Sequence, residues 1–218
     1  MNSIQSVPQD SDYQTFSPLQ LVLKRIVDIV VAGILLVLTS PLWLLIMLWI
    51  RLDSPGGAIF TQTRVGLRGM PFKIYKFRTM VQNAEQVFKP QVAAQEDMAN
   101  FVFQHKGDPR ITRSGRFLRK TSLDELPQLL NILNGSMSLV GPRPEVPEIT
   151  EHYTAEQRQR LSVLPGVTGL AQINGRSELN LGETLAFDVE YVRNWSFGYD
   201  LKILGKTFAV VFTGKGAY

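Results

Sequence analysis

Residues 29–50 read IVVAGILLVLTSPLWLLIMLWI, 22 uncharged residues held between Asp28 and Arg51. As one helix rising about 1.5 Å per residue they would measure about 33 Å, enough to cross the hydrocarbon core of a bilayer. Thr39-Ser40-Pro41 interrupts the run near its middle. Proline removes a backbone donor and crowds the preceding turn, so a kink is expected there. Ser40 can return a hydroxyl to the freed carbonyls. Each arm is then roughly 15–18 Å long, about half the core. Lys24 and Arg25 precede the run and Arg51 follows it. Basic flanks favour the cytoplasmic side, here at both ends. The residues admit two readings, a spanning helix and a re-entrant hairpin dipping into one leaflet.

Residues 1–23, upstream, are Ser- and Gln-rich and carry only Asp10 and Asp12 as charges. No basic segment precedes an apolar core, so they read as a flexible polar tail and not as a signal peptide. Without the tail, 23 basic residues face 17 of the 19 acidic ones. Two clusters hold the excess. Arg51, Arg64, Arg68, Lys73, Lys76 and Arg78 are opposed locally by Asp53, and Lys106, Arg110, Arg113, Arg116, Arg119 and Lys120 by Asp108. Such clusters suit anionic lipid heads or phosphate-bearing substrates, and equally a solvated basic face. Near the C-terminus Trp195, Phe197 and Tyr199 precede an apolar stretch punctuated by Lys202, Lys206 and Lys215, the pattern of an interfacial helix. Leu201, Ile203, Leu204, Val210 and Val211 would serve a core helix equally well.

Between these ends the pattern is mixed. AIFTQTRVG and MPFKIYKFRTM read as short strands around Gly66 and Gly69. Residues 82–104 read as a polar helix, and a short basic helix follows the turn at KGDPR. In SLDELPQLLNILNG, Leu126, Leu129, Leu130 and Leu133 recur at helical spacing and Asn134-Gly135 forms a C-cap. SMSLVGPRP is a strand that breaks at Gly141-Pro142, Thr154 and Gln157 frame a capping box, and residues 182–194 form a further helix. The expected architecture is helix-rich α+β. It comprises a polar tail (1–23), a membrane segment (24–51) and a mixed α and β domain (52–218) that ends in the candidate interfacial helix, with 24–218 one structural unit.

The composition, 44% hydrophobic and 19% charged, excludes a disordered or collagen-like chain. With no cysteine, disulfides, thiolate nucleophiles and Cys-ligated metals are excluded, and two histidines are too few for a His-only zinc site. No phosphate-binding glycine loop, dinucleotide fingerprint, HExxH or GxSxG element occurs. What remains is carboxylates, arginines and Gly/Pro turns. Asp124 and Glu125 open the leucine-rich helix, where Ser122-x-x-Glu125 fits an ordinary capping box. The same setting suits phosphate chemistry: a helix N-terminus attracts anions, Arg119 lies five residues upstream, and one carboxylate could attack phosphorus while its neighbour holds a divalent cation. In Pro142-Arg143-Pro144 two prolines fix the backbone around one arginine, either aiming a guanidinium or making a rigid turn.

KRIVDIVVAGILLVLTSPLWLL, FTQTRVGLRGMPFKIYKFRTM, GRFLRKTSLDELPQLLNILNGSMSLVGPRPE, LPGVTGLAQINGR and DVEYVRNWSFGYDLKIL occur in this order from residue 24 to residue 204. Together they resemble the bacterial sugar transferases, and more closely the monotopic phosphoglycosyl transferases. SLDELPQ and GPRP are the most specific parts. The resemblance implies that Asp124 attacks the β-phosphorus of a UDP-sugar, expels UMP and carries a covalent phosphosugar. Polyprenol (undecaprenol) phosphate then takes the phosphosugar as the initiating step of surface glycoconjugate assembly. Glu125 would bind the required divalent cation, usually Mg2+, and Arg119 would contact phosphate. Pro142, Arg143 and Pro144 would face the nucleotide, and Lys76, Arg176 and Asp188 fall on further substrate-binding positions. The resemblance also implies a re-entrant helix kinked at Ser40-Pro41, with the catalytic domain on the cytoplasmic face of the bacterial inner membrane. Larger members carry additional transmembrane helices before this segment, so a minimal catalytic unit is expected, although residues 82–108 are similar to those larger members. A homodimer is compatible with it.

Two other readings are weighed. An inactive membrane scaffold of the same fold would tolerate a broken acidic pair or missing arginines, whereas Asp124, Glu125, Arg119 and Arg143 are all present. A nucleic-acid binder would need aromatic stacking residues among the cations, and the second cluster has only Phe117, so no nucleic-acid partner is expected.

Overall fold

The computed structural model of the chain describes residues 16–84, 108–175 and 178–213. Its first element, α1 (Pro18–Asp53), is a 36-residue helix that starts with Pro at N1 and continues through Pro41. The continuity at Pro41 has a local cause. Proline cannot donate to the Val37 carbonyl four residues back, and Ser40 Oγ donates to it instead at 2.9 Å. Thr39 Oγ1 likewise donates to Leu35 O at 2.7 Å. The helix is long and apolar enough to cross a membrane, yet only 11% of its most apolar 18-residue window is buried.

The helix start corrects the expected tail boundary, because residues 18–23 are helical. The C-terminal region holds them: the Gln20 side-chain carbonyl accepts from Phe197 N at 3.1 Å, and the Phe16 ring meets Trp195 edge-on at 4.9 Å.

Two arms of α1 dock on the rest of the chain. After the helix, β1 (Ile59–Val65) and β2 (Pro71–Phe77) form an antiparallel hairpin with Ile59 opposite Phe77. Its turn needs positive φ at Arg68 and at Gly69. A basic helix α2 (Arg113–Thr121) follows, capped by Thr112, whose hydroxyl accepts from Gly115 N. Ile46 and Ile50 of the second arm pack with Phe77 and Leu118.

The leucine-rich segment is shorter than its spacing suggests. Ser122 adopts a left-handed conformation that ends α2, Leu123–Glu125 make one 3₁₀ turn, and α3 covers only Gln128–Leu133. The expected capping box at Ser122 therefore does not form, since an N-cap needs extended backbone there. The Glu125 side chain turns to basic partners instead. Asn134 and Gly135 cap α3 as expected, Gly135 with φ +87°.

Next come β3 (Ser138–Val140), α4 (Pro147–Thr150), α5 (Ala155–Arg158), β4 (Gly166–Thr168) and α6 (Leu170–Asn174). Two longer helices close the chain, α7 (Leu181–Arg193) and α8 (Phe197–Thr213). The Thr154–Gln157 capping box is present. β3 and β4 pair in parallel, and a Cβ on Gly166 would lie 2.1 Å from Gly141 N, so glycine is required for the two loops to touch. The main core joins Ala32 of the first arm to Leu129 and Ile132 of α3, Leu139, Tyr191 and Ile203. In α8 the core reading is realised at Ile203, which is fully buried, whereas Leu201 and Phe208 are exposed. The fold is helix-rich α+β. The polar helix expected over residues 82–104 lies largely outside the described residues.

Candidate active site

The site forms where β2, α2, the 3₁₀ turn and the loop after β3 converge. Side chains alternate along a strand, so Phe72, Ile74 and Lys76 share one face of β2, and Ile74 is in the core. That register carries the Lys76 ammonium inward, 3.2 Å from Glu125 Oε1. Asn131 sets the distance between the two elements. Fully buried on α3, it accepts from Tyr75 N and donates to Lys73 O, extending the hydrogen-bonded edge of β2.

Arg119 arrives from α2. Gly115, one turn earlier, lies so close to the chain after β2 that a Cβ there would be 2.1 Å from Thr79 O. This approach lets Arg119 Nε donate to Thr79 Oγ1 at 3.0 Å. Arg119 Nη1 is buried with no hydrogen-bond partner in the structure. Burial depresses the Arg119 pKa, opposed by the nearby Asp124 charge.

Arg143 reaches the same carboxylate from the opposite side, with Nη1 2.9 Å from Glu125 Oε1. Its backbone is clamped on three sides. Pro142 and Pro144 are buried, Gly166 N donates to Pro142 O, and Arg64 Nη1 donates to Pro144 O. Arg160 supplies the third clamp, donating Nη2 to the Arg143 carbonyl. Arg160 is itself held by the Asp188 carboxylate and by the Tyr153 hydroxyl at 2.6 Å.

Two adjacent carboxylates thus have different environments. Burial and the neighbouring Glu125 charge push Asp124 up to about 6, against the pull of Lys76, Arg119 and Arg143. Glu125 is also pushed up by burial, but Lys76 and Arg143 overcome this and hold it down to about 2. Lys76 is lowered by burial and by Arg143. Among the described residues, Asp124 is left as the carboxylate without a hydrogen-bonded cation, amid three positive charges.

The structure brings Asp124, Glu125, Arg119, Lys76 and Arg143 into one cluster. The expected anion-attracting helix start at Asp124 is replaced by a single 3₁₀ turn, so the positive potential comes from side chains. Asp188 stands behind the cluster, 1% exposed and paired with Arg160, and so acts on the Pro142–Pro144 loop from beneath and not as a lining group. Arg176 lies outside the described residues. Arg160, Thr79 and Asn131 were not singled out from sequence. For Arg160 no local signal was available, because it closes the polar run Glu156-Gln157-Arg158-Gln159 and looks no different from Arg158. Beside the loop is a shallow surface dent lined by Val65, Gly66, Pro142, Arg143, Leu161 and Pro165 among others.

A profile of the bacterial sugar transferase family matches residues 19–214. The undecaprenyl-phosphate galactose phosphotransferase of Salmonella typhimurium is 46% identical over 201 residues, 90% of this chain and 42% of that protein. The UDP-glucose:undecaprenyl-phosphate glucose-1-phosphate transferase of Caulobacter vibrioides is 44% identical over 204 residues, 89% of this chain and 72% of that protein. The exopolysaccharide production protein ExoY of Sinorhizobium fredii is 41% identical over 216 residues, 97% and 94% of the two chains. The chain therefore spans less than half the length of the Salmonella relative and nearly all of the Sinorhizobium one.

Proposed function

The chain belongs to the bacterial sugar transferase family, and from that premise we propose that it transfers a sugar 1-phosphate from a UDP-sugar to undecaprenyl phosphate, releasing UMP. The activities for which the Salmonella and Caulobacter relatives are named support the reaction class. The observation that carries the reading is the pairing of Asp124, free of a hydrogen-bonded cation, with Lys76, Arg119 and Arg143 around it.

Asp124 attacks the β-phosphorus through a carboxylate oxygen, and the bond from that phosphorus to the bridging oxygen breaks, so UMP leaves with the electron pair. The phosphosugar is then an acyl phosphate on Asp124. A phosphate oxygen of undecaprenyl phosphate attacks the same phosphorus, forms the diphosphate link and returns the Asp124 carboxylate. Arg119 Nη1 donates to a phosphate oxygen, its missing partner, and Arg143 and Lys76 balance charge on the leaving side. Pro142, Arg143 and Pro144 would face the nucleotide, with the loop backbone held by Gly166, Arg64 and Arg160.

Lys76 and Arg143 both reach Glu125 Oε1, so Oε2 is the donor that a cation would meet. No group of three or more acidic or histidine side chains able to hold a metal occurs among the described residues. Magnesium fits this set, because it binds through one or two carboxylates completed by substrate phosphates and water. When bound it would neutralise charge on the diphosphate oxygens.

The helix α1 is proposed to enter one leaflet without crossing. Both of its arms dock on the same domain, one at Ala32 and one at Ile46 and Ile50, positions that a crossing helix would place within the hydrocarbon and away from that domain. The domain then sits on the cytoplasmic face, at the level of the carrier's phosphate.

The test is UMP release from a panel of UDP-sugars by the purified chain with magnesium and undecaprenyl phosphate. Asp124→Asn is expected to abolish release and to carry no phosphosugar adduct by mass spectrometry. An active Asp124→Asn enzyme overturns the assignment.

A further inference from the structure

The face of α2 turned away from the catalytic cluster has no role in the reaction above. Arg113, Arg116, Phe117 and Lys120 recur at helical spacing along it and all four are exposed, while Ser114, Gly115 and Leu118 form the buried side. Phe117 packs against Trp49 of α1, ring centroids 5.4 Å apart. Trp49 borders Leu45, Leu48 and Leu52, which are 65%, 57% and 78% exposed. Three cations thus flank an aromatic pair that continues directly into the apolar surface of α1. Arg116 and Lys120 have no carboxylate partner among the described residues, and Arg113 interacts with Asp53 only through its field.

We infer that the outer face of α2 binds the headgroups of anionic phospholipids, with Trp49 and Phe117 seated at the acyl boundary beneath them. The inference rests on the placement of α1 in one leaflet proposed above. Charge complementarity decides the occupant. Amphipathic aromatics lie at headgroup depth, and each lysine or arginine there is drawn to an anionic surface. The same helix carries Arg119 on its inner side, so this contact also holds the phosphate-binding arginine at carrier height.

The experiment reconstitutes the full chain into vesicles of phosphatidylcholine with phosphatidylglycerol and measures tryptophan quenching by brominated lipid. Bromine is carried by one lipid or the other at equal total content. Brominated phosphatidylglycerol is expected to quench about threefold more strongly at low salt, an advantage that shrinks as salt screens the charges. The Arg113→Gln, Arg116→Gln, Lys120→Gln triple variant should lose the preference, and Arg113→Lys with Arg116→Lys should keep it. Trp43 and Trp195 are common to every protein and cancel in the comparison. Equal quenching by both lipids in the unmodified chain, or a preference that survives the triple change, overturns the inference. So does protection from both lipids that grows with protein density, which would place a second copy on this face. No quenching by either lipid would refute the leaflet placement itself. Loss of UMP release with the preference intact would refute only the reaction.

Discussion

Arg160 donates to the backbone carbonyl of Arg143, the residue whose guanidinium lies 2.9 Å from Glu125. A fully buried cation thereby fixes the backbone from which a cation of the candidate site projects. Asp188 and Tyr153 complete the support from α7 and from the segment before α5.

Removing Arg160 leaves Asp188 as an uncompensated buried charge and frees the Arg143 carbonyl. Arg160→Met should destabilise the chain by about 3–5 kcal/mol, a loss seen for broken buried pairs. Thermal unfolding in detergent measures it. Asp188→Asn retains the shape but weakens the hold on Arg160, so KM for the UDP-sugar should rise more than kcat falls. Unchanged kinetics in Asp188→Asn would remove the link between Asp188 and the Pro142–Pro144 loop.

As the proposed nucleophile Asp124 would attack only as a carboxylate, and its pKa is raised to about 6. Single-turnover UMP release should therefore increase with pH through about 6 and level off above it. A rate that is flat from pH 5 to pH 8 would contradict the role of Asp124.

Lys76 lowers the pKa of Asp124. Its removal has the opposite sign, so in Lys76→Met the midpoint of the same profile should move to higher pH. The position of the midpoint is the readout, because the amplitude also falls when a phosphate-facing cation is lost.

A Cβ at position 115 would overlap Thr79 O at 2.1 Å. Gly115→Ala must push α2 away from the chain after β2, at a cost of about 1–3 kcal/mol for overpacking. The Arg119–Thr79 contact is lost with it. Both the melting temperature and UMP release should fall, whereas Ser114→Ala should leave the approach of the backbones in place.

The chain contains no cysteine, so single labels report cleanly. Gln5→Cys and Gly57→Cys, on the two sides of the apolar run, should both react with an impermeant thiol reagent from the cytoplasmic side only. Labelling from opposite sides would establish a spanning helix.

Much of the fold was legible because its signals are local. The alternation over residues 59–77, the capping box at Thr154 and the cap at Asn134-Gly135 depend on residues within a few positions of each other, and each formed. The boundary of the tail was misread because residues 18–23 are held by Phe197 and the C-terminal helix, some 177 positions away. The helix expected to begin at Asp124 was misread because Ser122 turned left-handed and Glu125 was drawn to Lys76 and Arg143, a tertiary override of a local capping pattern.

By itself the sequence determined the chemical inventory. It supplied two adjacent carboxylates among arginines, a proline-framed guanidinium, an apolar run interrupted by Ser40-Pro41, and no thiol. The tertiary structure alone decided how these are used. Lys76 lies 49 positions from Glu125 in the chain and Arg143 lies 18, and only their convergence on one oxygen separates the two carboxylates electrostatically. Asp188, equally acidic on paper, was taken out of the cluster by a buried arginine. Charge type is written residue by residue, but a pKa depends on burial and on neighbours brought together by folding.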